Sequence, residues 1–139
     1  MFHSDLIEHR ERKRQVIAFE DLQFGSIAPM DIDGCIEYKD RAVVFMEYKL
    51  KGASMPQGQR LCLERLANDV EKAGRVSMVL LCEHEVIDPM EDVNAGRAMV
   101  KAVYYKGQWH KGDGSDVKGY IVRFLNFIQK NNKKNKINY

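Results

Sequence analysis

The chain has 139 residues, of which 45% are hydrophobic and 30% are charged, and its formal net charge is +2. This length suits a single domain with its own core, and the composition excludes a disordered chain or a disulfide-stapled one. No run of about eighteen apolar residues is present, and the first residues lack the apolar block of a signal peptide, so we expect a cytoplasmic protein with no membrane partner. A charge this close to neutral does not by itself indicate a nucleic-acid partner.

The first predicted element is a helix over residues 4–19, with Ser4 as its N-cap. Its middle contains the basic run HRERKR (residues 9–14), and a second basic run, KNNKKNK, covers residues 130–136. Such runs are either solvated faces or contacts for a polyanion. The candidate nucleic-acid contacts are Arg12, Lys13, Arg14, Lys51, Lys133 and Lys134.

A β-hairpin is predicted in residues 30–51, MDIDGCIEYKDRAVVFMEYKLK, after a loop that contains Gly25 and Pro29. Residues 35–38 suit one strand, and residues 43–49 suit a second, longer strand. The sequence Lys-Asp at positions 39 and 40 suits the turn between them.

Charged side chains interrupt the second strand of this hairpin. Glu47 and Lys49 are two residues apart, so both point to the same face of the strand. Burying them is costly unless they pair or bind something. Asp31 or Asp33 at the hairpin entry could close against them. Two carboxylates and one ammonium group would suit Mg²⁺ and a phosphodiester.

A helix is predicted next, from a capping box formed by Ser54 and Gln57 to residue 73. Pro56 falls in its first turn, where the missing N–H is harmless, and Gly74 ends it. The cap gives Gln57 a structural role. The apolar run VSMVLLC, residues 76–82, is typical of a central strand reached by a strand–helix–strand crossover.

A second hairpin and a last helix complete the chain. Residues 100–105 suit a strand, Lys-Gly at positions 106 and 107 suits a turn, and residue 108 begins the return strand. The aromatic residues of this hairpin alternate with lysines, which favours cross-strand packing over a base-stacking platform. Ser115 is the predicted N-cap of the last helix. Its broad apolar face consists of Val117, Tyr120, Ile121, Phe124, Leu125 and Ile128.

Together these elements predict one α/β domain over residues 1–130, with a central mixed sheet of four to five strands flanked by helices. A basic, disordered tail is predicted over residues 131–139. Cys35, Cys62 and Cys82 are odd in number and far apart, so we expect reduced core thiols and neither a disulfide framework nor a zinc site.

The motif Asp33, a gap of thirteen residues, then Glu47-Tyr48-Lys49 resembles the PD-(D/E)XK nuclease superfamily, whose signature is Asp…(Glu/Asp)-X-Lys on such a hairpin. The nearest resemblance is to small restriction-like, Holliday-resolvase-like and phage replication–repair nucleases. It covers roughly residues 19–84. The chain departs from the family's Pro-Asp, because Ile32 precedes Asp33, so Asp31 stays an alternative ligand while the spacing favours Asp33.

The resemblance implies a restriction-endonuclease-like fold and a DNA endonuclease that depends on Mg²⁺ or Mn²⁺. In such an enzyme Asp33, Glu47 and the backbone carbonyl of Tyr48 would hold the metal. Lys49 would position or deprotonate the attacking water, and Gln59 would support Lys49. Additional acids could come from Asp31, Glu11 or Glu20. The family setting suggests branched or repair intermediates as substrates, in phage or in DNA repair, and allows a homodimer.

Two other hypotheses compete with a nuclease. One is a catalytically inactive nuclease fold kept as a nucleic-acid-binding or protein-interaction module. The other is a structural ion pair of Glu47 with Lys49 or Lys51 in an unrelated α/β domain. An intact set of two acids and a lysine argues against the first of these, because a binding module does not need buried acids facing a phosphate.

Overall fold

The computed structural model describes residues 15–134, with side chains through residue 131. The chain divides into two compact units, Met1–Asp31 and Ile32–Tyr139. In the first unit a short 3-10 helix spans Glu20–Leu22. Most of the helix predicted over residues 4–19 lies outside the described residues, and residues 16–19 are not helical. The prediction is wrong there because this stretch buries no apolar face that would stabilise a helix.

The second unit is an α/β domain built on one five-stranded sheet, as predicted. The strands lie in the order β1-β2-β3-β4-β5, in which β2 and β3 are parallel and the other neighbours are antiparallel. Their bounds are Gly34–Tyr38 (β1), Ala42–Leu50 (β2), Val76–His84 (β3), Met99–Tyr105 (β4) and Gln108–Lys111 (β5). Helix α1 spans Gln57–Lys72, helix α2 spans Val117–Lys134, and a short 3-10 helix spans Ala95–Arg97.

Both predicted hairpin turns are present. Lys39 and Asp40 adopt φ values of 49° and 62°, and Lys106 and Gly107 adopt 49° and 82°. Two successive positive φ values are the requirement of a type I′ turn, whose twist matches the twist of the flanking strands. These turns fix the register of each hairpin, and thereby the face to which each side chain points.

The main core lies between the sheet and α2. The predicted apolar face of α2 is confirmed, since its side chains pack with those of β2, β3 and β4. The predicted N-cap is wrong by one residue. Asp116 caps α2, because its Oδ1 accepts a hydrogen bond of 2.8 Å from Gly119 N–H. Ser115 Oγ instead accepts from the Arg123 guanidinium at 3.0 Å. Helix α2 continues to Lys134, past the expected start of the tail.

Helix α1 connects the parallel strands β2 and β3, as the crossover prediction required. It starts later than predicted, with Pro56 as the N-cap and no side-chain capping bond, so the capping box of Ser54 and Gln57 does not form. Pro56 has ψ 146°, and proline also biases the residue before it toward extended backbone. The helix therefore cannot begin before Gln57. Its end is as predicted, with Gly74 at φ 90°.

The cysteines are free thiols, but only one of them belongs to the core. Cys82 is buried, and burial raises the pKa of its thiol to about 12. Cys62 is half-buried and Cys35 is exposed on β1, so the prediction of three core thiols is wrong for Cys35. That strand lies at the sheet edge and only alternate residues turn inward. Among residues 15–134, no helix is long and apolar enough to cross a membrane.

Candidate functional site

Strand β2 places a buried carboxylate and a lysine on one face of the sheet. Glu47 is only 3% exposed, in the part of β2 that lies parallel to β3. Lys49 Nζ lies 3.2 Å from Glu47 Oε2, and its side chain is 23% exposed. The predicted shared face of these two residues is therefore confirmed. Lys49 thus lies between the buried Glu47 carboxylate and solvent.

Asp33 stands beside Glu47 at the point where β1 begins. In the β1–β2 register Gly34 faces Met46, so the next pair outward is Asp33 and Glu47. Asp33 Oδ2 accepts a hydrogen bond of 2.8 Å from Tyr48 N–H. The carboxylate thus takes the position that a backbone carbonyl would occupy if β1 were longer. This contact holds Asp33 against the Glu47-Tyr48 peptide.

Tyr48 contributes its backbone to the site and its side chain to the opposite face. Its hydroxyl donates to Ala95 O at 3.1 Å, and burial together with Cys82 raises the pKa of the phenol. In a strand the N–H and C=O of one residue point to the same side. Because Tyr48 N–H points to Asp33, the Tyr48 carbonyl lies on that side as well. The Tyr48 carbonyl and the Asp33 carboxylate therefore lie along the same edge of β2.

The carboxyl group of Glu47 is in an environment that opposes its charge. Burial and then the charge of Asp33 raise its pKa, while Lys49 and Gln59 lower it, and the net shift is upward. Its second oxygen, Oε1, is buried and has no hydrogen-bond partner among the described residues. A buried carboxylate oxygen without a partner costs about 1–3 kcal/mol or more. The protein alone thus leaves one oxygen of the Glu47 carboxylate without a hydrogen bond.

Gln59 reaches the site from the first turn of α1. Its Oε1 is also buried without a partner among the described residues, and its side chain is one of those that lower the pKa of Glu47. The structure therefore places Gln59 against the glutamate. The expected support of Lys49 by Gln59 stays a prediction. Gln57, two residues earlier, is exposed.

The donor set fits a hard divalent cation. Among residues 15–134, no group of three or more His, Cys, Asp or Glu side chains could enclose a metal ion. The site offers two carboxylates, Asp33 and Glu47, together with the Tyr48 carbonyl. Mg²⁺ usually keeps several waters and binds through one or two carboxylates plus substrate phosphates, so a larger cage is not required. The unpartnered Glu47 Oε1 is the oxygen through which Glu47 would bind such an ion.

The remaining predicted residues belong to other parts of the chain. Glu20 and Asp31 belong to the first unit, where both are exposed. Lys51 is exposed in the turn after β2, and its N–H donates to His84 O at 2.8 Å. Lys133 and Lys134 lie in the last turn of α2, beyond the described side chains. Glu11, Arg12, Lys13 and Arg14 lie outside the described residues.

One contact near the site was not foreseen from the sequence. Glu64 of α1 accepts hydrogen bonds from Arg60 at 2.8 Å and from Trp109 Nε1 at 2.6 Å. The predicted cross-strand packing is present, since the Tyr104 and Trp109 rings are 5.4 Å apart. A partner for Trp109 was to be expected, because a buried indole N–H needs one. No local pattern indicates that the partner is 45 residues away.

Comparison of the chain with protein-family models, with curated proteins and with solved structures gave no match.

Proposed function

We propose that the protein is a metal-dependent DNA endonuclease of the PD-(D/E)XK type, with a restriction-endonuclease-like fold. The observation that carries the proposal is the buried, unpartnered Glu47 Oε1 in a site that also contains Asp33 and Lys49. Buried polar atoms in folded proteins nearly always have a partner, and an exception calls for an explanation such as a catalytic role or a bound ion or water. A divalent cation held by Asp33, Glu47 and the Tyr48 carbonyl would supply that partner.

A structural ion pair explains less of what the site contains. Lys49 satisfies one oxygen of Glu47 and leaves the other without a partner. Asp33, placed on the same side, adds a second negative charge that raises the pKa of Glu47 further. A pair serving stability alone would not gain from a neighbouring carboxylate. Two acids held together are stabilised when a cation binds between them.

Each residue then has a distinct task in hydrolysis. A bound divalent ion would lower the pKa of a water and offset negative charge on the phosphate. The Lys49 ammonium group, partly exposed, can orient the attacking water and donate hydrogen bonds to the phosphate as its negative charge grows. Gln59, whose side chain lowers the pKa of Glu47, would help to hold the Glu47 carboxylate in place, as groups behind metal ligands commonly do. Asp33 is fixed by its bond to Tyr48 N–H.

The partner would be DNA, with the two basic runs as its phosphate contacts. Branched and repair intermediates are the substrates that the family resemblance suggests. Positive side chains outside the site would supply most of the affinity, because neutralised phosphates release counterions.

The test is incubation of the full chain with linear, nicked, flapped and branched DNAs in Mg²⁺, in Mn²⁺ and in EDTA. We expect cleavage of at least one substrate with either metal and none with EDTA. Cleavage that persists in EDTA would refute the metal-dependent mechanism. Tight DNA binding with no cleavage of any substrate would favour the inactive nuclease-fold module instead.

A further inference from the structure

A pocket of about 230 Å³ opens on the sheet face that carries Glu47. Leu81 and Ala102 form its floor, Trp109 forms one wall, and the cationic side chains of Arg60 and Lys101 line it. Its volume is below the range of about 300–1,000 Å³ typical of sites for drug-sized ligands. The pocket therefore suits one flat group about the size of a nucleobase.

The pocket adjoins the proposed active site. Leu81 is the register partner of Glu47 on the neighbouring strand, and Ala102 is the partner of Leu81 on the strand after that. Adjacent strands are about 4.8 Å apart, so the pocket floor begins roughly 5 Å from the backbone of Glu47. On the helix above, Arg60 directly follows Gln59. A nucleotide next to the cleaved bond would lie within reach of the pocket floor and of Arg60.

The aromatic wall is held in place before any ligand binds. Trp109 Nε1 donates to Glu64 at 2.6 Å, and the Tyr104 ring packs at 5.4 Å from the Trp109 ring. Tyr104 is fixed in turn by a 2.9 Å bond from its hydroxyl to Asn68. A preorganised aromatic ring binds a base at low entropic cost, and such stacking strengthens binding by about 5- to 150-fold per base.

The two cations suit the phosphates on either side of such a base. Arg60 pairs with Glu64 at 2.8 Å and Lys101 pairs with Glu83 at 3.4 Å, and their side chains are 40% and 45% exposed. The partner acids are only 16% and 21% exposed, so the cations are the members of each pair that solvent and a phosphate can reach. Arginine also keeps further N–H donors that can bind phosphate in a bidentate manner.

We infer that this pocket binds an unpaired nucleotide beside the bond to be cleaved, with its base against Trp109 and its phosphates on Arg60 and Lys101. The inference rests on the proposed nuclease function. In duplex DNA both faces of a base are stacked, so a base reaches Trp109 only where the strand is single or unpaired. The enzyme would therefore act on single strands, flaps or frayed ends in preference to intact duplex.

Trp109 is the only tryptophan of the chain, so its fluorescence reports on this pocket alone. The full chain in EDTA is titrated with a short single-stranded oligonucleotide and with the blunt duplex of the same sequence. We expect saturable quenching by the single strand, and at least tenfold weaker quenching by the duplex. Lys101→Ala should lower the slope of log K against log[salt] by about 0.7. Lys118→Ala, an exposed lysine on α2, is the control and should leave the slope unchanged.

A second measurement does not depend on fluorescence. Trp109→Ala should weaken single-strand binding, measured by anisotropy of a labelled oligonucleotide, by about 5- to 150-fold. If Trp109→Ala does not fold, Lys101→Ala and the wild-type titration still decide whether the pocket binds an unpaired nucleotide.

The possible failures can be told apart. Metal-dependent cleavage with equal quenching by single strand and duplex, or with no quenching, overturns the pocket and leaves the nuclease proposal intact. Selective quenching by the single strand without cleavage of any DNA overturns the nuclease proposal and supports nucleotide binding. If Lys101→Ala binds the oligonucleotide with unchanged affinity and unchanged salt slope, the phosphate contact assigned to Lys101 is overturned.

Discussion

Replacing Asp33 by Asn separates the electrostatic role of this residue from its structural role. The amide oxygen of Asn can still accept the hydrogen bond from Tyr48 N–H, which measures 2.8 Å in the wild type. The negative charge that raises the pKa of Glu47 is lost. In EDTA we therefore expect Asp33→Asn to be as stable as the wild type or more stable, by about 0–1 kcal/mol. The gain is small because Asp33 is exposed and water screens its charge.

Added metal should reverse this order. A ligand that binds only the folded state stabilises it by RT ln(1 + [L]/Kd), which is about 2.7 kcal/mol at one hundred times Kd. For a chain of this length that corresponds to roughly 5–10 °C in Tm. The wild type should show such a rise with Mn²⁺, and Asp33→Asn should show much less, because one of its two carboxylate ligands is gone.

The assay is a set of thermal melts of both proteins in EDTA and in excess Mn²⁺. Asp69→Asn serves as the control, since it removes an exposed acid from α1 and should respond to metal as the wild type does. Equal metal responses of the wild type and Asp33→Asn would refute the assignment of Asp33 as a ligand. A stability loss in EDTA without any metal response would instead indicate a structural ion network.

Three further predictions follow from the same structure. Because burial and Asp33 raise the pKa of Glu47, its charged form destabilises the metal-free fold; Glu47→Gln should raise Tm near neutral pH in EDTA. The Tm difference between Glu47→Gln and the wild type should disappear as pH falls through the raised pKa of Glu47 toward the ordinary value of about 4.3. Thermal melts across pH would show this. Gln57→Ala should leave Tm and cleavage rate unchanged, whereas Gln59→Ala should lower the cleavage rate about 10- to 100-fold. Gly112→Ala would place a Cβ on the Val100 carbonyl oxygen of β4 and should lower the free energy of unfolding in urea by about 3 kcal/mol or more. Gly58→Ala, which meets nothing within 4 Å, is its control and should be neutral or stabilising.

The hairpin could be predicted from sequence because its determinants are local. Alternation along β2 sets the face of Glu47 and Lys49, and Lys39-Asp40 supplies the turn. The parallel partner β3 was predictable from its continuous apolar run and from the intervening helix. These features are enough to bring the motif residues together on one face.

Helix starts and distant contacts were harder to predict. Ser54 and Ser115 both have the chemistry of an N-cap, but Pro56 and Asp116 take those positions. Neighbouring residues compete for a cap, and the tertiary fold decides between them. The bond from Trp109 to Glu64 joins elements far apart in the chain, so no local pattern encodes it. The unpartnered oxygen in the site likewise becomes visible only when the packing is known.

If Lys49 acts in metal-dependent phosphodiester hydrolysis, as we propose, its loss must lower the single-turnover cleavage rate, which Lys49→Ala tests. The rate is measured in Mg²⁺ on the best substrate of the panel, at equal folded fraction. Lys72→Ala, an exposed lysine at the end of α1, is the matched control. We predict a loss of about two to four orders of magnitude for Lys49→Ala and none for the control. Cleavage by Lys49→Ala at the wild-type rate would contradict the proposed site.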